Sequence, residues 1–163
     1  MDLARGTFRE VMGRLAGGVT VVTALDAAGQ PCGFTGTAVC SVSLDPPLVL
    51  VCVAREAHTP AAIRGARRYA LNFLHSGDAS VSDRFATSEE SKFDGIEWTG
   101  APGGSPLLPG VLGWVECDVE QDLEAGDHTI FIGRVIAANV EMPDEAPLVH
   151  FGGRYHTVMA LDE

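Results

Sequence analysis

Hydrophobic and polar positions alternate along this chain with two periods, and the changes between them mark off short helices, strands and turns. Phe8, Val11, Met12 and Leu15 stand at i, i+3, i+4 and i+7, so residues 7–16 predict an amphipathic helix capped by Thr7 and ended by Gly17 and Gly18. The β-branched run VTVVTA predicts a strand over 19–24. Turn residues over 26–31 lead into GFTGTAVCSVS, a second strand over 33–43, and the two form a hairpin. Pro46 and Pro47 cannot donate backbone hydrogen bonds. They separate that hairpin from the wholly apolar run over 48–53, the pattern of a strand buried on both faces.

Further along, Thr59 before Pro60 predicts an N-cap and first helical position, and a helix over 60–66 follows, with Arg64, Arg67 and Arg68 as a solvated face. YALNFL predicts a strand over 69–74. Residues 76–86 predict a helix with Val81 and Phe85 inward and a solvated His75 at its start. The stretch 87–106 is polar and broken by prolines, and so long a loop is functional or mobile. Strands over 112–123 and 129–140 make a long hairpin around Gly126, and PLVHFGGRY at 147–155 sets an aromatic pair about Gly152 and Gly153. The acidic tail 159–163 is expected to fray. Six or seven strands, few helices and no internal repeat predict a mainly β, up-and-down or Greek-key barrel with helices covering its ends. Residues 1–163 read as one domain.

Charge narrows the partners. With 22 acidic against 11 basic residues the net charge is −11, which repels nucleic acid and anionic membrane surfaces. Cys32, Cys40, Cys52 and Cys117 show no metal-ligand spacing, and neither do the five histidines; His150 and His156 lie six apart across a glycine turn. The N-terminus is too polar for a signal peptide and no apolar run approaches membrane-spanning length, so a reduced, cytoplasmic protein is expected. The nucleophile, zinc, P-loop and dinucleotide-fold motifs are all missing from the sequence, and the glycines of 100–104 lie in a proline-broken loop.

The chemistry that remains points to a bound ligand. Thr35, Gly36, Thr37, Ala38 and Ser41 put small and hydroxyl side chains where a buried strand carries bulk, so something lies close to that backbone. The helix start just past the apolar strand is a ready anion site, to which Arg55, His58 and Thr59 add donors. Arg84 and Phe85 stand near a helix end, as ligand supports or as an ordinary helix-end charge. His128 leads from a tight turn into a strand, where a surface role is the simpler one. The combination suits a flat, phosphorylated cofactor that carries the hard chemistry itself.

The segments FREVMGRLAGGVTVVT, GFTGTAVCSVSLDPPLVLVCV, YALNFL, KFDGIEW, AGDHTIFIGRV and PLVHFGGRYHTV cover nearly the whole length in one order. In them the chain resembles the short-chain flavin reductases, the reductase components of two-component flavin-dependent monooxygenases. The resemblance implies a split β-barrel of Greek-key topology, a homodimer, and reduction of FAD (alternatively FMN) by NADH (alternatively NADPH), with reduced flavin passed to a separate monooxygenase. It implies that Thr35, Gly36, Thr37, Ala38, Val39 and Ser41 line the isoalloxazine and ribityl. Ala54, Arg55, Glu56, Ala57, His58 and Thr59 would hold ribityl and phosphate, and Arg84 and Phe85 would border the site. His128, with Phe151, Gly152 and Tyr155, would receive the nicotinamide nucleotide, His128 as a positioning group for hydride transfer. The chain departs from the family's usual residues at Gly17, at the Gly36-Thr37 pair and at His150. A flavin-binding electron carrier and a non-catalytic subunit on the same fold are the rival readings.

Overall fold

The computed structural model describes residues 4–89 and 91–161. Residues 162 and 163 of the tail expected to fray lie outside them. The chain opens with α1 (Arg5–Met12), β1 (Gly17–Gly18), β2 (Thr20–Leu25), β3 (Pro31–Gly36), β4 (Val39–Leu44) and β5 (Pro47–Ala54). Next come α2 (Thr59–Ala66), β6 (Arg68–Phe73), α3 (Ala79–Ala86), β7 (Thr99–Gly100) and β8 (Pro106–Leu107). It ends with β9 (Gly113–Ala125), β10 (His128–Val140), β11 (Val149–Phe151) and β12 (Arg154–His156). The protein is mainly β, with antiparallel pairing throughout the described ladders. No described helix is long and apolar enough to cross a membrane.

One seven-stranded sheet, in the order β3-β2-β6-β9-β10-β5-β4, organises the molecule. Its two edge strands are β3 and β4, yet only Thr37 and Ala38 separate them in sequence. The three residue steps from Gly36 to Val39 span about 10 Å at full extension, roughly two strand spacings. The sheet must therefore curl to bring its two edges toward each other, and the Cys52 amide, donating to the Ala38 carbonyl at 3.0 Å, extends the β4–β5 ladder back to that corner.

Alternation along β2 covers both faces of the curl. Val22 and Ala24 point into a core with Val51, Val53, Ile63, Tyr69, Leu71 and Phe131, closed by α2. Val21 points the other way, toward Leu74, Phe85, Leu108, Val111 and Leu148 beneath α3. Two buried polar groups fasten the long connection to the sheet. Asn72 donates to the Val21 carbonyl and accepts from the Leu108 amide. Glu116, fully buried, accepts from the Gly103 and Ser105 amides at 2.7 and 2.9 Å.

Several expectations change. The strand foreseen over 33–43 is two strands, β3 pairing with β2 and β4 with β5, because Thr37-Ala38 turns the chain from one sheet edge to the other. The apolar run 48–53 is not buried on both faces: only Val51 and Val53 are buried, as one core-facing side of an antiparallel strand demands. Helix α1 ends at Met12 on Gly13, and Gly17-Gly18 instead pairs with β11. Thr59 lies inside α2, with His58 at the N-cap. Arg64 and Arg68 are not a bare solvated face; Arg64 pairs with Asp122 at 2.9 Å and Arg68 with Asp118 at 2.6 Å. His75 pairs with Asp78 at 3.2 Å rather than standing free. The stretch 87–106 contains the small β7–β8 sheet.

Candidate active site

The curl leaves a cleft of about 1070 Å³ between β3, the β5–α2 connection, the C-terminal end of α3 and residues 87–89 and 92–94. Its size sits at the upper end of small-molecule sites. Thr35 on β3, then Ala54, Glu56, Ala57, His58 and Thr59 around the start of α2, and Phe85 on α3 all line it. Seven of the residues singled out from the sequence are thus on one concave surface.

Two backbone features of this surface can bind polar groups. Gly33 turns its carbonyl away from β2 to accept from the Lys92 ammonium at 3.1 Å. Backbone direction alternates along an antiparallel strand, so Thr35, two residues on, also turns its N–H and C=O outward from the sheet's free edge. At the other side, α2 begins without a side-chain cap on its N-terminal N–H groups. Such groups favour an anion. The carboxylates of Asp26, Glu56, Glu89 and Asp94 surround the same cleft, with Lys92 as the ammonium among them. Desolvation holds Lys92 below the ordinary lysine value, and burial pushes the Cys32 thiol up to about 11.

The remaining residues lie around the rim or beyond it. Gly36, Thr37, Ala38, Val39 and Ser41 follow the turn from β3 into β4 and do not line the cleft. Arg55 reaches back to the β9–β10 turn, its amide donating to Asp127 and its guanidinium to the Gly126 carbonyl. That turn brings His128 opposite Ala54 in the ladder, at the cleft's edge. Its Nδ1 lies 2.7 Å from the Asp127 carboxylate, which leaves Nε2 open. The bond to His128 holds Asp127 below the usual carboxylate range. Phe151, Gly152 and Tyr155 belong to the β11–β12 hairpin, and no described hydrogen bond or aromatic contact joins them to His128. Tyr155 instead braces α3. Its hydroxyl lies 2.8 Å from Ser82 Oγ and donates to Asp83, while Thr35 Oγ1 donates to the Ser82 carbonyl at 2.6 Å. Burial, ahead of these bonds, raises the Tyr155 phenol.

The want of bulk in β3 has a cause within the protein. A Cβ on Gly33 would meet the Val22 carbonyl oxygen at 2.6 Å and Phe85 at 3.4 Å; one on Gly36 would touch the Phe34 ring at 3.1 Å. A Cβ on Gly17, a departure from the family's usual residue, would come within 2.9 Å of Thr37 Cβ. The cleft residues missed in the sequence are Cys32, Gly33, Phe34, Lys92 and Phe93. The segment KFDGIEW carried the signal for the last two.

The family described as flavin reductase like domain matches residues 12–159. Among the relatives is a probable flavin reductase of Rhizobium meliloti (strain 1021), 46% identical over 129 residues; the match covers 79% of this chain but 42% of that protein. The reductase subunit HsaB of a flavin-dependent monooxygenase from Rhodococcus jostii (strain RHA1) is 38% identical over 148 residues, covering 91% of this chain and 75% of the subunit. Among solved structures, the NADH:FAD oxidoreductase SgcE6 of Streptomyces globisporus C-1027, in complex with NAD and FAD fragments, superposes with a TM-score of 0.89 at 34% identity, over 99% of each chain.

Proposed function

The chain belongs to the flavin reductase like family, and from that membership we propose that it is an NAD(P)H:flavin oxidoreductase that supplies reduced flavin to a partner monooxygenase. The observation that carries this reading is the cleft in which the outward edge of β3 faces the uncapped start of α2. A flavin needs both: hydrogen-bonding partners for the polar edge of its ring, and amide donors for its phosphate. Bound flavin supplies a ring nitrogen that accepts hydride from the nicotinamide.

What the chain does is bind, orient and exclude water. Thr35 N–H and C=O meet the ring edge, and a backbone donor there stabilises negative charge developing on it. His58 and Thr59 present amides at the start of α2 to phosphate, and Ala54, Arg55, Glu56 and Ala57 shape the loop that aims them, the Ala57 amide being held by the Ala54 carbonyl. Phe85 and Arg84 border the ring pocket, and Gly36, Thr37, Ala38, Val39 and Ser41 approach the flavin from the β3–β4 corner, outside the cleft lining. His128 positions the nicotinamide nucleotide through Nε2, its Nδ1 being held by Asp127. Phe151, Gly152 and Tyr155 receive the rest of that nucleotide. Orientation of the two rings supplies the rate enhancement, without a proton relay.

FAD is preferred to FMN because the cleft extends past the phosphate site to the Asp26–Gln30 turn. NADH is preferred to NADPH because the cleft gathers carboxylates and holds no cluster of arginines for a 2′-phosphate. We read the curled sheet as a split β-barrel of Greek-key topology, residues 1–163 as one domain, and the protein as a cytoplasmic homodimer. The exposed apolar side chains on and just after α1, with Val11 64% and Leu15 68% exposed, support the dimer. The test is steady-state NADH oxidation with free flavin in excess of protein. Turnover of many flavins per protein supports the reductase; a single slow reduction of one bound flavin identifies an electron carrier.

A further inference from the structure

The described part of the stretch 87–94 is held against the cleft from two directions. Lys92 reaches back: its ammonium donates to the Gly33 carbonyl on the free edge of β3 and to the Phe85 carbonyl near the end of α3, each at 3.1 Å. Arg84 reaches forward, its guanidinium donating to the carbonyls of Ser91 and Asp94. Between them the Phe85 and Phe93 rings meet edge to face, centroids 5.0 Å apart at 86°. A turn closed by the Asp94 amide on Ser91 and the Ile96 amide on Phe93 makes 91–96 a short, self-consistent unit. Lys92 and both phenylalanines line the cleft.

The ammonium is the central member of this arrangement. It bonds a carbonyl on the free edge of β3, and its own segment carries the Phe93 ring. Both bonds are charge-assisted, the stronger class of hydrogen bond, and both acceptors are backbone atoms, so the clasp constrains main chain rather than another mobile side chain. Cys32, one residue before Gly33, lines the same cleft.

We propose that Lys92 is a positioning residue: its ammonium clasps residues 91–96 to the edge of β3 and the end of α3, and so sets flavin affinity by holding the cleft wall in place. The proposal rests on the flavin reductase reading for the identity of the ligand, but the clasp itself does not. Two charge-assisted bonds lost together permit the segment to open about tenfold or more often.

The test measures two things on K92M and K92R. One is amide hydrogen exchange over 91–96 in flavin-free protein; the other is the flavin KM and kcat with NADH. K92M is expected to exchange about tenfold or more faster over 91–96 and to raise the flavin KM by a similar factor, with a much smaller fall in kcat. K92R, which can still donate to both carbonyls, restores most of both. Wild-type exchange in K92M overturns the clasp even if KM rises, because the ammonium then acts on flavin directly. Faster exchange with an unchanged KM overturns its role in affinity. Should K92M fail to fold, K92Q gives the same exchange reading, with an intermediate acceleration expected and wild-type exchange overturning the proposal. Absence of any NADH turnover in the wild type defeats the reductase reading instead, and leaves the exchange result to decide the clasp.

Discussion

Replacing Gly33 by alanine adds one methyl group at the point where β3, β2 and α3 come closest. The new Cβ would lie 2.6 Å from the Val22 carbonyl oxygen, 3.3 Å from Thr23 Cγ2 and 3.4 Å from the Phe85 ring. The first of these is backbone, so relief requires β3 to move away from β2. Overpacking of this kind costs about 1–3 kcal/mol. Against it stands the lower chain entropy of unfolded alanine, a gain of roughly 0.5–1 kcal/mol. The loss wins at Gly33. At Gly36, where the added Cβ meets only the Phe34 ring at 3.1 Å, the two nearly cancel. G33A is therefore expected to lower Tm by about 2–8 °C, using roughly 2–4 °C per kcal/mol for a domain of this size, and G36A to change it little. Because displaced β3 carries the Gly33 and Thr35 edge with it, flavin titration of G33A should also weaken by about tenfold or more. Wild-type Tm and flavin affinity in G33A would refute the close approach and the reason offered for a glycine there.

Three further outcomes follow from the site and the core. His128→Ala should raise the nicotinamide KM by about tenfold while leaving flavin affinity within about twofold, the loss expected of one positioning hydrogen bond; collapse of flavin binding in a titration would contradict the division of the site. Tyr155→Phe removes the hydroxyl shared by Ser82 and Asp83 and leaves the buried Ser82 hydroxyl without that partner, so chemical denaturation should show a loss of about 1–2 kcal/mol. Burial pushes the Cys117 thiol from 9.0 up to about 12. Between those values the unfolded chain gives up this proton and the folded one keeps it, so stability is fully present below pH 9 and falls as pH rises through the window. Tm measured from pH 8 to 10.5 should therefore decline less steeply in Cys117→Ala than in wild type, and equal slopes would count against the burial of that thiol.

What could be read in advance depended on whether the cause was local. The β-branched run at 19–24 and the long alternating hairpin about Gly126 appear, the first shifted by one residue, as β2, β9 and β10 because their periodicity is a property of adjacent residues. The break between β3 and β4 was not legible. Thr37-Ala38 contains no turn residue, and the reason for the corner is that the two strands belong to opposite edges of one sheet. The start of α2 was misplaced by one residue, since Thr59 has the side chain of a cap while His58 has the position. Along the cleft wall, Thr35, Ala54 and residues 56–59 could be anticipated because small residues and a helix start leave a trace in sequence. Lys92 was not, since its partners Gly33 and Phe85 lie 59 and 7 residues away and are carbonyls, which no side-chain pattern records. Tyr155 was placed in the site by the resemblance; its observed partners add a second task, bracing the helix that carries Phe85.

The central claim is that one cleft, between the free edge of β3 and the start of α2, binds flavin so that NADH can reduce it. Titration of the flavin-free protein with FAD and with FMN, followed by anaerobic mixing of each complex with NADH, tests it most directly. Saturable binding is expected, tighter for FAD, with bleaching of the flavin absorbance by NADH at a rate that saturates with NADH concentration. Flavin that binds without being reduced by NADH or NADPH, or that fails to bind, would contradict it.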